Sequence, residues 1–203
     1  MIKSLIAGML TILALQQPTN VDGNNTGYIF LGDSRTVGMD WAVDIENTDG
    51  QFVVAKVGMG YNWMQDTAMS EIEEIVSEND EYTDWVLITN LGVNDLGNCD
   101  KYINAYEELS EVFNIYVVSV NPCDGTSSYL NDNIIKFNDA MKALDYVTYV
   151  DTHTSLCENG FGTNDGLHYK KDTYRYIYDT IVSEVIGTDG TGVEFNYTEQ
   201  NLQ

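Results

Sequence analysis

A chain of 203 residues, with 43% hydrophobic and 11% aromatic residues and only two prolines, can bury a single core, which excludes a disordered or collagen-like polypeptide. Nine Lys and Arg stand against 32 Asp and Glu, a net charge of −23. Nucleic acid and anionic membrane surfaces repel such a chain, so neither is expected as a stable partner.

At the N-terminus, Lys3 precedes an apolar run from Leu5 to Leu15 and then Gln16, Gln17 and Pro18. One positive charge and about a dozen apolar residues have the layout of a secretory signal and fall short of the ~20 needed to span a bilayer. Residues 1–20 are read as a signal peptide or N-terminal anchor, with a packed N-terminal helix as the alternative. The protein is accordingly expected to be secreted or held at the cell surface. A domain over 21–187 follows, then a Gly-, Asp- and Thr-rich tail over 188–203.

Five short apolar runs read as strands: Tyr28–Leu31, Phe52–Val57, Trp85–Thr89, Ile115–Val120 and Val147–Val150. Helical spacing of apolar residues recurs at Met64–Val76, Ile134–Leu144 and Thr173–Ile186. Strands this continuously apolar, alternating with helices, predict a parallel sheet of about five strands covered on both faces. In such sheets ligands bind where the strands end and the chain leaves for a helix. The segments at those points are Gly32-Asp33-Ser34-Arg35, Gly58-Met59-Gly60-Tyr61-Asn62, Gly92-Val93-Asn94-Asp95 and Asp165-Gly166-Leu167-His168-Tyr169.

Together they hold the parts that acyl transfer requires. Ser34 sits at a strand-to-helix turn, where a serine serves either as nucleophile or as helix cap. The chain has two histidines, His153 and His168. Asp165, three residues before His168, is spaced to hold its ring; Asp151 bears a similar relation to His153. Gly60 and Asn94 are candidate donors to an oxyanion, from backbone N–H and side-chain amide. No zinc, EF-hand, P-loop or dinucleotide pattern is present, and neither a metal nor a cofactor is expected. Cys99, Cys123 and Cys157 lack metal spacing. They leave open a Cys123–Cys157 bridge, a Cys99–Cys123 bridge, or three free thiols.

Gly32-Asp33-Ser34, a glycine after the second strand, Gly92-Val93-Asn94-Asp95 and Asp165-x-x-His168, in that order, resemble the four blocks of the SGNH, or GDSL-like, hydrolases, in a bacterial branch with a GDSR first block. The resemblance runs from about Tyr28 to Ile186. It implies a three-layer α/β/α, flavodoxin-like fold and serine-dependent ester hydrolysis without a cofactor. It also implies roles: Ser34, His168 and Asp165 catalytic, and Ser34, Asn94 and a second-block glycine forming the oxyanion hole. That glycine is Gly58 or Gly60, with Gly60 preferred for the turn segment Tyr61-Asn62 that follows it. Asp33, Arg35 and Asp95 are expected to support the site. Arg35 stands where the GDSL name has leucine, which bears on substrate class. Tyr61, Trp63 and Tyr169 are candidates for stacking on a sugar. The expected substrate is a small ester, above all an acetyl group on a neutral glycan. A lipid or thioester hydrolase and a non-catalytic carbohydrate-binding or surface protein are the alternatives.

Overall fold

A computed structural model describes residues 6–9, 11 and 25–187. Five strands, β1 (Thr26–Gly32), β2 (Gln51–Ala55), β3 (Asp84–Asn90), β4 (Asn114–Val118) and β5 (Thr148–Val150), form one sheet in the order β2-β1-β3-β4-β5. Every pairing is parallel. This is the doubly wound order whose direction reverses beside the first strand, opening a crevice at the strand ends. Gly32 is in register with Ala55 on one side and Asn90 on the other, so the loops after β1, β2 and β3 leave the sheet at one level.

The strands bury both faces, as their near-continuous apolar sequences require. Ile29, Leu31 and Leu87 face a core built with helices α2 (Tyr61–Trp63), α3 (Met69–Glu78), α4 (Cys99–Leu109) and α5 (Asn131–Lys142). Phe30, Val86 and Ile88 face a second core closed by α1 (Ser34–Val43), α6 (Thr152–Asn159) and α7 (Lys171–Val185). The three-layer α/β/α architecture follows directly from that division. A π-helical turn over Met64–Ala68 joins α2 to α3.

Several boundaries differ from the sequence expectation. β2 stops at Ala55, because the chain turns through Gly58 at φ +75°, leaving Val57 exposed. β4 stops at Val118, and the segment after it is held by side chains: Asn138 bonds both the N–H and the C=O of Val120. Helix α4, with Tyr102, Ala105, Tyr106 and Leu109 buried on one stripe, has a clear helical period that the sequence reading passed over.

Most of the expected N-terminal signal or anchor, and the whole 188–203 tail, lie outside the described residues. The described part, residues 6–9 and 11, is helical, with Ile6 and Met9 buried against the first core. Among the described residues no helix is long and apolar enough to cross a membrane. All three cysteines are free, so neither expected bridge is formed. The Cys123 sulfur instead accepts from the Arg35 guanidinium at 3.1 Å, while Cys157 is exposed on α6.

Candidate active site

β1 runs directly into α1, and Gly32 permits the tight turn: a Cβ there would lie 1.8 Å from the Thr36 hydroxyl. Asp33, not Ser34, caps the helix, its Oδ1 accepting the Arg35 N–H at 2.9 Å. This resolves the ambiguity at Ser34, which is free of the capping role and occupies the first position of α1. Its N–H donates to no protein acceptor among the described residues. It therefore offers a donor at the positive end of the helix.

His168 reaches Ser34 from the far end of the domain. Its Nε2 lies 2.9 Å from Ser34 Oγ and its Nδ1 lies 2.7 Å from Asp165 Oδ2. The other Asp165 oxygen accepts the N–H groups of Leu167 and His168, at 2.9 and 2.7 Å. The imidazole and these two N–H groups hold the Asp165 carboxyl down at about 2, so it is ionised at neutral pH; its side chain is 53% exposed. Hydroxyl, imidazole and carboxylate thus form one hydrogen-bonded chain, able to move a proton off Ser34 as the oxygen attacks.

His153 takes no part in that chain. It lies on α6, where its N–H donates to Ser119 Oγ, and burial depresses its pKa. Asp151, its expected partner, caps α6 through Thr154 and pairs with Lys142.

The third and second loops meet beside Ser34. Asp33 is fully buried, and burial pushes its carboxyl up from 3.8 to about 6 against the lowering pull of its bond to the Arg35 N–H and of the Arg35 charge. Its Oδ2 accepts from Asn94 Nδ2 at 3.3 Å, which orients that amide. The same nitrogen donates to the Met59 carbonyl at 2.8 Å, so both Asn94 amide hydrogens are engaged. A trans peptide directs its C=O and N–H to opposite sides. The Gly60 N–H, on the same peptide as the Met59 carbonyl, therefore points away from Asn94. The expected oxyanion donors are neighbours that do not converge in this arrangement.

Asp95 joins the two loops. It accepts from the Tyr61 N–H at 2.8 Å, from Asn98 Nδ2 at 2.9 Å and from the Tyr102 hydroxyl at 2.8 Å. Gly60 lies so close that a Cβ there would sit 2.5 Å from the Asp95 carboxyl carbon, whereas one at Gly58 would meet open space. The contact sets Gly60, and not Gly58, against Asp95. Tyr102 lies on α4, seven residues after Asp95, and was missed because the sequence reading did not identify that helix.

The aromatic candidates separate. Tyr61 and Trp63 are half-buried beside the loop, Tyr61 packing edge-on against Tyr102. Tyr169 is 1% exposed, its ring beneath the Arg35 guanidinium and its hydroxyl on the Pro122 carbonyl, so the expectation that it stacks on substrate is corrected: the ring is core. Arg35, expected to support the site, is buried, 3% exposed. An open groove of about 910 Å³ between α1 and α7, lined by Trp41, Lys171, Arg175 and Tyr178, includes none of the Ser34, His168 and Asp165 chain.

This geometry defines a class: a doubly wound α/β protein carrying a serine, histidine and aspartate chain at its strand ends. It is the fold of the SGNH, or GDSL, hydrolases. The chain is similar to the C-terminal catalytic domain of Streptococcus pneumoniae peptidoglycan O-acetyltransferase A, at 20% identity and a TM-score of 0.58, covering 79% of this chain and 93% of that one. It is similar to a member of the lipolytic G-D-S-L family from Veillonella parvula, at 16% identity and a TM-score of 0.61, covering 79% and 98%. A Slackia heliotrinireducens protein described as an SGNH hydrolase aligns at 15% identity and a TM-score of 0.61, covering 81% and 100%. No protein-family model and no curated protein sequence matches the chain.

Proposed function

We propose that the protein is a serine esterase that removes small acyl groups, acetyl above all, from a neutral carbohydrate. The observation that carries this reading is the hydrogen-bonded chain from Ser34 through His168 to Asp165. Ser34 Oγ attacks the ester carbonyl as His168 Nε2 takes its proton, and Asp165 steadies the imidazolium that forms. The Ser34 N–H and the Asn94 amide hold the oxyanion. Asn94 turns from the Met59 carbonyl to the oxyanion, and the Gly60 N–H is the candidate third donor. His168 then protonates the departing sugar oxygen, which leaves as a hydroxyl, and water, deprotonated by His168 in its turn, releases the acyl group from Ser34.

The exposure of His168 and Asp165 supports a small acyl group on a large carrier. A long acyl chain needs an enclosing apolar cavity, and an open edge suits a polymer laid across it. The net charge of −23 favours a neutral carrier over a polyanion. The N-terminal apolar run supports an exported, cell-surface setting in a bacterium. Transfer of the acyl group to a second hydroxyl in place of water is the other reading, supported by the likeness to a peptidoglycan O-acetyltransferase domain.

Hydrolysis of p-nitrophenyl acetate, with rates falling as the acyl chain lengthens, tests the reading. Ser34→Ala should lower kcat by about three orders of magnitude or more with the fold intact. Acetate release from an acetylated neutral oligosaccharide tests the carrier. Labelling of another residue, or of none, by a serine-directed phosphonate removes the mechanism.

A further inference from the structure

Arg35 is the only Lys or Arg buried among the described residues, and the reaction scheme above gives its guanidinium nothing to do. Among the described residues no carboxylate lies within ion-pair distance of it; its hydrogen bonds go to uncharged acceptors. Nε donates to the Leu167 carbonyl at 3.1 Å, one terminal nitrogen to the Asn121 carbonyl at 2.8 Å, and the other to Cys123 Sγ at 3.1 Å. The flat of the group lies 4.9 Å from the centre of the Tyr169 ring. A buried cation satisfied by such partners costs more to desolvate than a neutral side chain of the same size, so a residue kept only for packing has no reason to be charged.

The partners explain the choice. Leu167 and Tyr169 flank His168, so Arg35 grips the chain on both sides of the imidazole. Asn121 and Cys123 belong to the segment after β4, which is itself fixed. Asn138 bonds both main-chain groups of Val120, and Asn131 bonds both main-chain groups of Cys123. The Asp124 N–H donates to the Gly166 carbonyl at 2.8 Å, adding a second tie between that segment and the histidine loop. Arg35 itself is bonded in the chain to Ser34 and held at the helix start by Asp33.

We propose that Arg35 is a positioning residue that sets the distance between Ser34 and His168. One planar fork joins the nucleophile's helix, the rigid segment after β4 and the loop that carries the base. Asp165 fixes the imidazole only within its own loop, three residues away. Arg35 transmits the position of that loop to the serine's helix. Lysine cannot replace it, because an ammonium is a point charge without the fork's three fixed directions. This inference rests on the reading of Ser34 and His168 as the reacting pair.

The test measures kcat and KM of Arg35→Ala and Arg35→Lys on p-nitrophenyl acetate, with Ser34→Ala in the same series and thermal melting as a check on folding. Both Arg35 variants should lose at least about tenfold in kcat, and up to about a hundredfold, with KM nearly unchanged, since a misplaced base slows the step without weakening binding. Guanidinium chloride, below denaturing concentration, should restore part of the activity of Arg35→Ala and leave Ser34→Ala inactive. A folded Arg35→Ala with wild-type kcat overturns the proposal, as does a folded, inactive one that guanidinium fails to restore. If Arg35→Ala does not fold, Arg35→Lys decides, and wild-type kcat in that variant overturns it. Retained activity in Ser34→Ala defeats the underlying reading instead, and is recognised separately.

Discussion

Replacing Asp33 by asparagine should stabilise the protein in a pH-dependent manner while impairing the site. The Asp33 carboxyl is fully buried, and burial raises it from 3.8 to about 6. Below pH 3.8 the folded and unfolded chains both carry its proton. Between 3.8 and 6 the unfolded chain gives the proton up while the folded chain keeps it, so the folded state loses stability as pH rises. Above 6 both are ionised and the cost is constant. A displacement of roughly two pH units, at about 1.4 kcal/mol each, amounts to about 3 kcal/mol. The amide of the Asp33→Asn variant has no such titration, and the remaining ionisable groups are common to both proteins. The difference in unfolding free energy between Asp33→Asn and the wild type should therefore grow by about 2 kcal/mol or slightly more in the variant's favour from pH 4 to pH 7. Urea melts at unit pH intervals measure it, and a difference that stays flat with pH refutes the reasoning. Activity should fall in the same variant. An asparagine cannot accept from both the Arg35 N–H and Asn94 Nδ2 as the carboxylate does, so the Asn94 amide loses its orientation. Stability and activity then move in opposite directions at neutral pH.

Three further outcomes are expected. Asn94→Ala should cost about 3 kcal/mol in transition-state stabilisation, seen mainly in kcat; a change confined to KM would make Asn94 a binder of the ground state. Gly60→Ala should lower activity sharply, because its Cβ would lie 2.5 Å from the Asp95 carboxyl carbon. Gly58→Ala should leave activity near normal and cost about 1 kcal/mol of stability in denaturant melts, for the left-handed backbone at φ +75°. The reverse order on activity would reassign the donor. His168→Ala should be nearly inactive and His153→Ala nearly normal in ester hydrolysis, since only His168 meets Ser34; equal losses would show that the histidine at Ser34 had been misassigned.

The sequence alone determined the strands, the parallel sheet and the four loops. Those features are written in local periodicity, in runs such as Trp85–Thr89 and in turn residues at strand ends, and short-range sterics and burial enforce them. It also determined the His168–Asp165 pair, because three residues of separation already bring the two side chains together. Only the tertiary structure decided what depends on contacts between distant segments. Ser34 and His168 are 134 residues apart, Arg35 and Leu167 are 132 apart, and Tyr61 and Asp95 are 34 apart. An arginine after the nucleophile reads in sequence as a supporting residue, and only folding reveals that it lies buried behind the histidine loop. Tyr169 reads as an aromatic beside the site and becomes core for the same reason, because the loop that carries it closes over Arg35. Cys123 faces that guanidinium, so the thiol pairing suggested by adjacent strands gives way to a contact no local pattern encodes. Spacing along the chain fixes which groups lie near one another within a turn or a strand; the packing of helices on both sheet faces fixes which of the distant ones meet.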